Sequence, residues 1–153
     1  STGVHPAVIE THFNPVVYQP DIVRYCHERG ILVVGFSLFS GTSWGSGSLL
    51  KHPTVTNIAT KVNKAPAQVL VCWCLMNGVI PLTAATSAER VREFVNIDFE
   101  LSDADVAELS NLRSFTTTTT IQCAVFTPLV SGLPPPLAVL MFFKNVGGLL
   151  VQT

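Results

Sequence analysis

The sequence predicts an α/β fold built on a parallel sheet, and three observations carry the prediction. Strand-like and helix-like segments alternate along residues 1–112. One of the strand-like segments, "ILVVGFS" from Ile31, is a nearly unbroken apolar run, the pattern of a strand covered on both faces. The 153-residue chain is 48% hydrophobic and 12% charged, which suffices to fill the core of one domain.

The segments follow in order. "AVIETHF" (Ala7 to Phe13) reads as a short strand. "QPDIVRYCHERG" reads as a helix with Pro20 in its first turn and Gly30 as its stop. After "ILVVGFS" comes a loop rich in glycine and serine, "GTSWGSGS". "HPTVTNIATKVNKAPAQVLVCWCLMNG" gives two helices separated at Ala65-Pro66, with Ile58, Val62, Val69 and Trp73 among the apolar positions. "VIPLT" is a second short strand candidate. "TSAERVREF" starts a helix with Thr86 and Glu89 at capping-box spacing, and "SDADVAELSNL" starts another with Ser102 and Asp105 in the same relation. Repeated βα units imply right-handed crossovers. About three such units are present, whereas a closed barrel of this kind needs eight and roughly 250 residues. The count leaves the chain incomplete.

Residues 113–153 have another composition: a threonine run, the triple proline Pro134 to Pro136, and Lys144 as the one charge after Arg113. An irregular, poorly ordered apolar tail is expected there. The prolines interrupt any membrane span of about 20 residues, which argues against a membrane anchor. A role in interaction or membrane association through this tail is the alternative reading.

A formal charge of -1, with no basic run, argues against nucleic acid as a partner. Cys26, Cys72, Cys74 and Cys123 sit mostly in apolar surroundings with no CxxC and no secretory leader. Buried thiols in a reduced cytoplasmic protein are expected, and no metal site.

Residues 1–112 resemble the C-terminal half of the aldo-keto reductases, NADPH-dependent carbonyl reductases with a (β/α)8 barrel. "PAVIETHFNP" is similar to the family's sixth strand, P-x-V-N-Q-x-E-x-H-P, and "LVVGFSLFSG" to its seventh strand and loop. "APAQVLVCWCLMNGVIPLT" resembles the A-Q-V-L-L-R-W stretch leading to I-P-K-S. "TSAERVREF" resembles the cofactor-binding R-x-x-E-N helix, and "FELSDADVAEL" the segment after it. This family resemblance of residues 1–112 implies a partial (β/α)8 TIM barrel with an extra helix.

The resemblance implies an NADP(H) site. Phe36 would stack on the nicotinamide, and Ser37, Leu38, Ser40 and Gly41 would meet the pyrophosphate, where glycine lets a ligand approach the main chain. Arg90 would contact the 2′-phosphate and Glu93 the adenine. Glu10 takes the position of the glutamine that holds the nicotinamide amide; a carboxylate accepts there but does not donate. Leu82 replaces a phosphate-binding lysine and Phe94 an asparagine, so binding is expected to be weak or vestigial, with Thr83 and Thr86 as substitute contacts. Without the resemblance, the loop reads as a connector, Arg90 and Glu93 as a solvated i,i+3 pair, and Glu10 with His12 as a polar pair at a strand end. Alternation places Val8, Glu10, His12 and Asn14 on the face that a barrel turns inward.

The family's catalytic tyrosine, lysine, aspartate and histidine come from the first half of its barrel. Tyr18, Tyr25, His5, His12, His27 and His52 match none of them, so no catalytic residue is assigned. A carbonyl substrate is expected only where an N-terminal half completes the barrel.

Overall fold

The structure is a computed structural model that describes residues 6–40 and 48–113. Gly41, Cys123 and the tail expected after residue 113 lie outside the described residues. The elements are β1 (Val8–His12), α1 (Pro20–His27), β2 (Leu32–Phe36), a 3-10 turn (Leu49–Lys51), α2 (Pro53–Val62), α3 (Pro66–Met76), β3 (Ile80–Pro81), α4 (Ala88–Val95) and α5 (Asp103–Ser110).

Three strands form one parallel sheet in the order β1-β2-β3. β1 pairs with β2 from Val8 opposite Leu32 to His12 opposite Phe36, and β2 meets β3 at Val34 and Ile80. Side chains alternate across a strand, so this register sorts the residues by face. Ile9, Phe13, Val33 and Gly35 turn to the helices. Val8, Glu10, His12, Leu32, Val34 and Phe36 turn the other way. The helical face is closed: Ile9, Phe13 and Val33 are all buried. The opposite face is not closed by any described residue at its lower edge, where Leu32 is 53% exposed. On that face Val34 is buried, so the expectation of two covered faces for "ILVVGFS" holds at Val34 and fails at Leu32.

The helices begin where proline sets the first turn, at Pro20, Pro53 and Pro66. Asn63, in the left-handed region at φ 52°, ends α2. α3 is buried continuously from Gln68 to Cys74 and is the centre of the core. Its Trp73 stacks on Phe13 at 5.0 Å between ring centres and meets Tyr18 edge-on at 5.4 Å. Its indole N–H, which burial would otherwise leave unpaired, donates to Ser110 Oγ on α5 at 3.1 Å. Gly35 makes the close approach of β2 to this cluster possible. A Cβ there would stand 2.7 Å from Phe13 Cβ and 2.9 Å from Val79 Cγ1.

Buried Gln68 ties two helices: its amide donates to the carbonyls of Glu93 and Asn96 at the end of α4, while its oxygen accepts from the Ala65 amide at the start of α3. Ser102 caps α5 by accepting from the Asp105 amide, as its spacing predicts. The cap of α4 is Ser87, accepting from the Arg90 amide, rather than Thr86. Both residues can cap, since their hydroxyls have the same local chemistry. Cys26, Cys72 and Cys74 are buried as expected. Burial pushes the thiols of Cys72 and Cys74 above their ordinary range, so they are poor nucleophiles. Among the described residues no group of His, Cys, Asp or Glu could hold a metal, and no helix is long and apolar enough to cross a membrane.

Candidate functional site

The C-terminal ends of the three strands bring most of the candidate residues to one edge of the sheet. Pairing continues one residue beyond the strands: the Phe13 amide donates to the Phe36 carbonyl at 3.0 Å and the Leu82 amide to the Gly35 carbonyl at 2.7 Å. Leu82 thus serves the sheet through its main chain, and its apolar side chain supplies no cation. Buried Thr83 follows directly.

His12 and Phe36 are directly opposite in the register, and their rings stack at 5.5 Å with 16° between planes. One face of Phe36 is therefore taken by the imidazole. Burial lowers the His12 pKa from its ordinary value, which favours the neutral ring. Glu10 lies two residues earlier on the same face, beside Val34. It is half-buried, and no ion pair to it is formed among the described residues.

After Phe36 the backbone turns sharply. Ser37 is in the left-handed region at φ 57°, and the Ser40 amide bonds back to the Ser37 carbonyl at 3.1 Å. Leu38 is buried beneath this turn, so its side chain anchors the loop and only its main chain is available to a ligand. The loop's base is held by the Ser40–Ser48 bridge and by the Leu49 amide donating to Phe39.

α4 carries Arg90 and Glu93. Arg90 is exposed, and among the described residues its guanidinium makes no ion pair or hydrogen bond. The i,i+3 pair with Glu93 that the spacing allows is not formed. Phe94 is buried and packs on Phe39, with ring centres 5.4 Å apart. The loop after β2 and the helix after β3 are thereby joined. Tyr18 packs in the Phe13–Trp73 cluster, where burial raises its pKa, and exposed Tyr25 lies under the Arg29 guanidinium at 3.7 Å.

Two residues of this edge carry no site assignment from the sequence. Asn14 is fully buried, accepts from the Val16 and Val17 amides through Oδ1, and has its Nδ2 3.4 Å from His12 Nε2, beside the residue with which alternation groups it. The signal was the Asn-Pro step, which favours a turn. Phe39 has no comparable signal, because its partner Phe94 is distant in sequence.

No protein-family model matches the chain. It is similar to an uncharacterised oxidoreductase, YtbE, of Bacillus subtilis (strain 168), with 31% identity over 111 residues, 72% of this chain and 38% of the relative. It is similar also to an aldo-keto reductase of Mycobacterium sp. (strain KMS), with 34% identity over 114 residues, 74% of this chain and 40% of the relative. Among solved structures, the Bombyx mori aldo-keto reductase in complex with NADP matches with a TM-score of 0.65 and 25% identity, over 73% of this chain and 38% of that one. The chain thus spans about two-fifths of the length of the relatives it matches.

Proposed function

This chain is part of an aldo-keto reductase, and from that premise we propose that its strand-end edge is the half of an NADP(H) site that holds the nicotinamide ring, the pyrophosphate and the 2′-phosphate. The contact between Phe39 and Phe94 carries the reading, since it fixes the loop of Phe36 to Ser40 against the helix of Arg90. Phe36 would take the nicotinamide on the face that His12 leaves free. The main chain at Ser37, Leu38, Ser40 and Gly41, with the serine hydroxyls, would meet pyrophosphate oxygens. Arg90 would grip the 2′-phosphate, for which an exposed and unpaired guanidinium is suited. Thr83 and Glu93 complete the set. Glu10 would accept from the nicotinamide amide without donating to it.

These residues would hold a dinucleotide whose nicotinamide would supply hydride to a carbonyl. Residues of this chain bind and orient; we assign proton transfer to none of them, and reduction of an aldehyde or ketone is proposed for the barrel that a preceding half would complete. Three buried thiols fit a reducing, cytoplasmic setting. Binding is proposed to be weak, because Leu82 supplies no second cation and Phe94 is committed to the core. Titration of the 153-residue chain with NADPH tests the reading. Saturable binding that Phe36→Ala weakens supports it, and absence of saturable binding at millimolar NADPH refutes it.

A further inference from the structure

Asn14 is buried at 0% exposure and uses its whole amide. Its Oδ1 accepts from the Val16 amide at 3.0 Å and the Val17 amide at 3.2 Å, which fixes the side chain's orientation and aims Nδ2 away from its own turn. Nδ2 then donates to the Ser37 carbonyl at 3.1 Å and faces His12 Nε2 at 3.4 Å. The two groups it reaches flank Phe36: His12 stacks on the ring, and Ser37 is the next residue along the chain. Ser37 is also one of two non-glycine residues with positive φ among the described residues. That conformation costs free energy for an L-residue and persists where neighbours over-determine it. The Ser37 carbonyl accepts from both Asn14 Nδ2 and the Ser40 amide, so among the described residues Asn14 supplies the only side-chain bond that holds the turn from outside the loop.

We propose that Asn14 is the positioning residue of the nucleotide loop, locking Ser37 in its left-handed turn and His12 against Phe36 so that ring and loop amides face one ligand. The proposal rests on the reading of this edge as a dinucleotide site. Asn14 itself touches no ligand. It acts through the turn, which gives the claim a specific consequence: a residue that adopts positive φ freely should make Asn14 dispensable.

The test is a double-substitution cycle in the full chain, reading NADPH affinity together with the backbone carbon shifts of Ser37. Asn14→Asp keeps the acceptor for Val16 and Val17 but removes both donors. It should weaken NADPH binding about fivefold or more, the scale of one lost hydrogen bond in a strained turn, and should erase the left-handed signature at Ser37. In the presence of Ser37→Gly, where positive φ carries no steric cost, the same substitution should change affinity less than about twofold. An equal loss in both backgrounds, or no loss in either, overturns the proposal, since Asn14 would then act on the fold in general or not at all. Where Asn14→Asp does not fold, Asn14→Ser retains a shorter acceptor for the Val16 amide and is read in the same way. If the unsubstituted chain binds no NADPH, the dinucleotide reading fails separately and the Ser37 shifts alone decide: a lost signature on Asn14→Asp carries the positioning claim, and a retained one overturns it.

Discussion

His12 and Phe36 stand opposite each other at the ends of β1 and β2 with their rings nearly parallel, and burial lowers the imidazole's pKa. The sign of the pH dependence follows. A histidine whose folded pKa lies below its unfolded value binds fewer protons when folded, so stability rises with pH. The contribution is complete above the unfolded value of about 6.5 and is lost as pH falls through and below it. Chemical denaturation across this range should show the unsubstituted chain weakening on acidification and His12→Gln weakening less. Parallel curves for the two proteins would mean that His12 does not report the burial seen beside Phe36.

Gly35 provides a stability prediction without electrostatics. Its position between Phe13 and Val79 leaves no room for a methyl group. Gly35→Ala should destabilise by about 1–3 kcal/mol, the usual cost of overpacking. The loss should appear as a lower denaturation midpoint with an unchanged slope. A neutral result would show that β2 can move away from the Phe13–Trp73 cluster.

Asp105 joins helices far apart in the chain. It accepts from Lys61 Nζ at 2.9 Å through both oxygens and from Ser102 Oγ at 2.6 Å. The Lys61 hydrogen bond first, and that from Ser102 second, hold its carboxyl below the usual range. A lowered carboxylate stabilises the fold above its unfolded pKa, and that stability is lost as pH falls below about 4. Lys61 is 60% exposed, so solvent screens the pair. Asp105→Asn should cost about 1 kcal/mol near neutrality, the scale of a weakened Ser102 hydrogen bond and a lost, screened ion pair, with the difference closing below about pH 4. Salt should narrow it as well.

These three positions show what was legible in the sequence. Short-range signals were read well: the strand around Val33, helix starts at Pro20 and Pro66, and the Ser102 cap each depend on neighbours within a few residues. The cap of α4 falls at Ser87, one residue later than the spacing predicts, because Thr86 and Ser87 have the same local chemistry. Asp105 was legible as the partner of Ser102, three residues away, but its bond to Lys61 spans 44 positions and leaves no local trace. The same holds for the ties from Gln68 to α4 and from Asn14 to Ser37. At the candidate site, Phe36 and Arg90 could be named from motif resemblance. The contact between Phe39 and Phe94 that unites their segments could not.

Buried thiols provide a chemical check on the core. Cys74 is 0% exposed and its Sγ donates to the Val79 carbonyl at 3.4 Å. Cys26, Cys72 and Cys74 should resist a thiol reagent in the native state and react on denaturation. Fast native labelling of Cys74 would contradict the packing of α3 on β3.

The central claim is that this edge binds a dinucleotide through its 2′-phosphate, and comparing NADPH with NADH on the full chain and on Arg90→Ala tests it most directly. A charge-assisted contact of guanidinium to phosphate has no counterpart with a free 2′-hydroxyl, and is worth roughly ten- to a hundredfold in affinity. The account predicts that NADPH binds more tightly than NADH by about that factor and that Arg90→Ala removes the preference while leaving NADH affinity unchanged. Equal affinities for the two nucleotides in the unsubstituted chain, or a preference that survives Arg90→Ala, would contradict it.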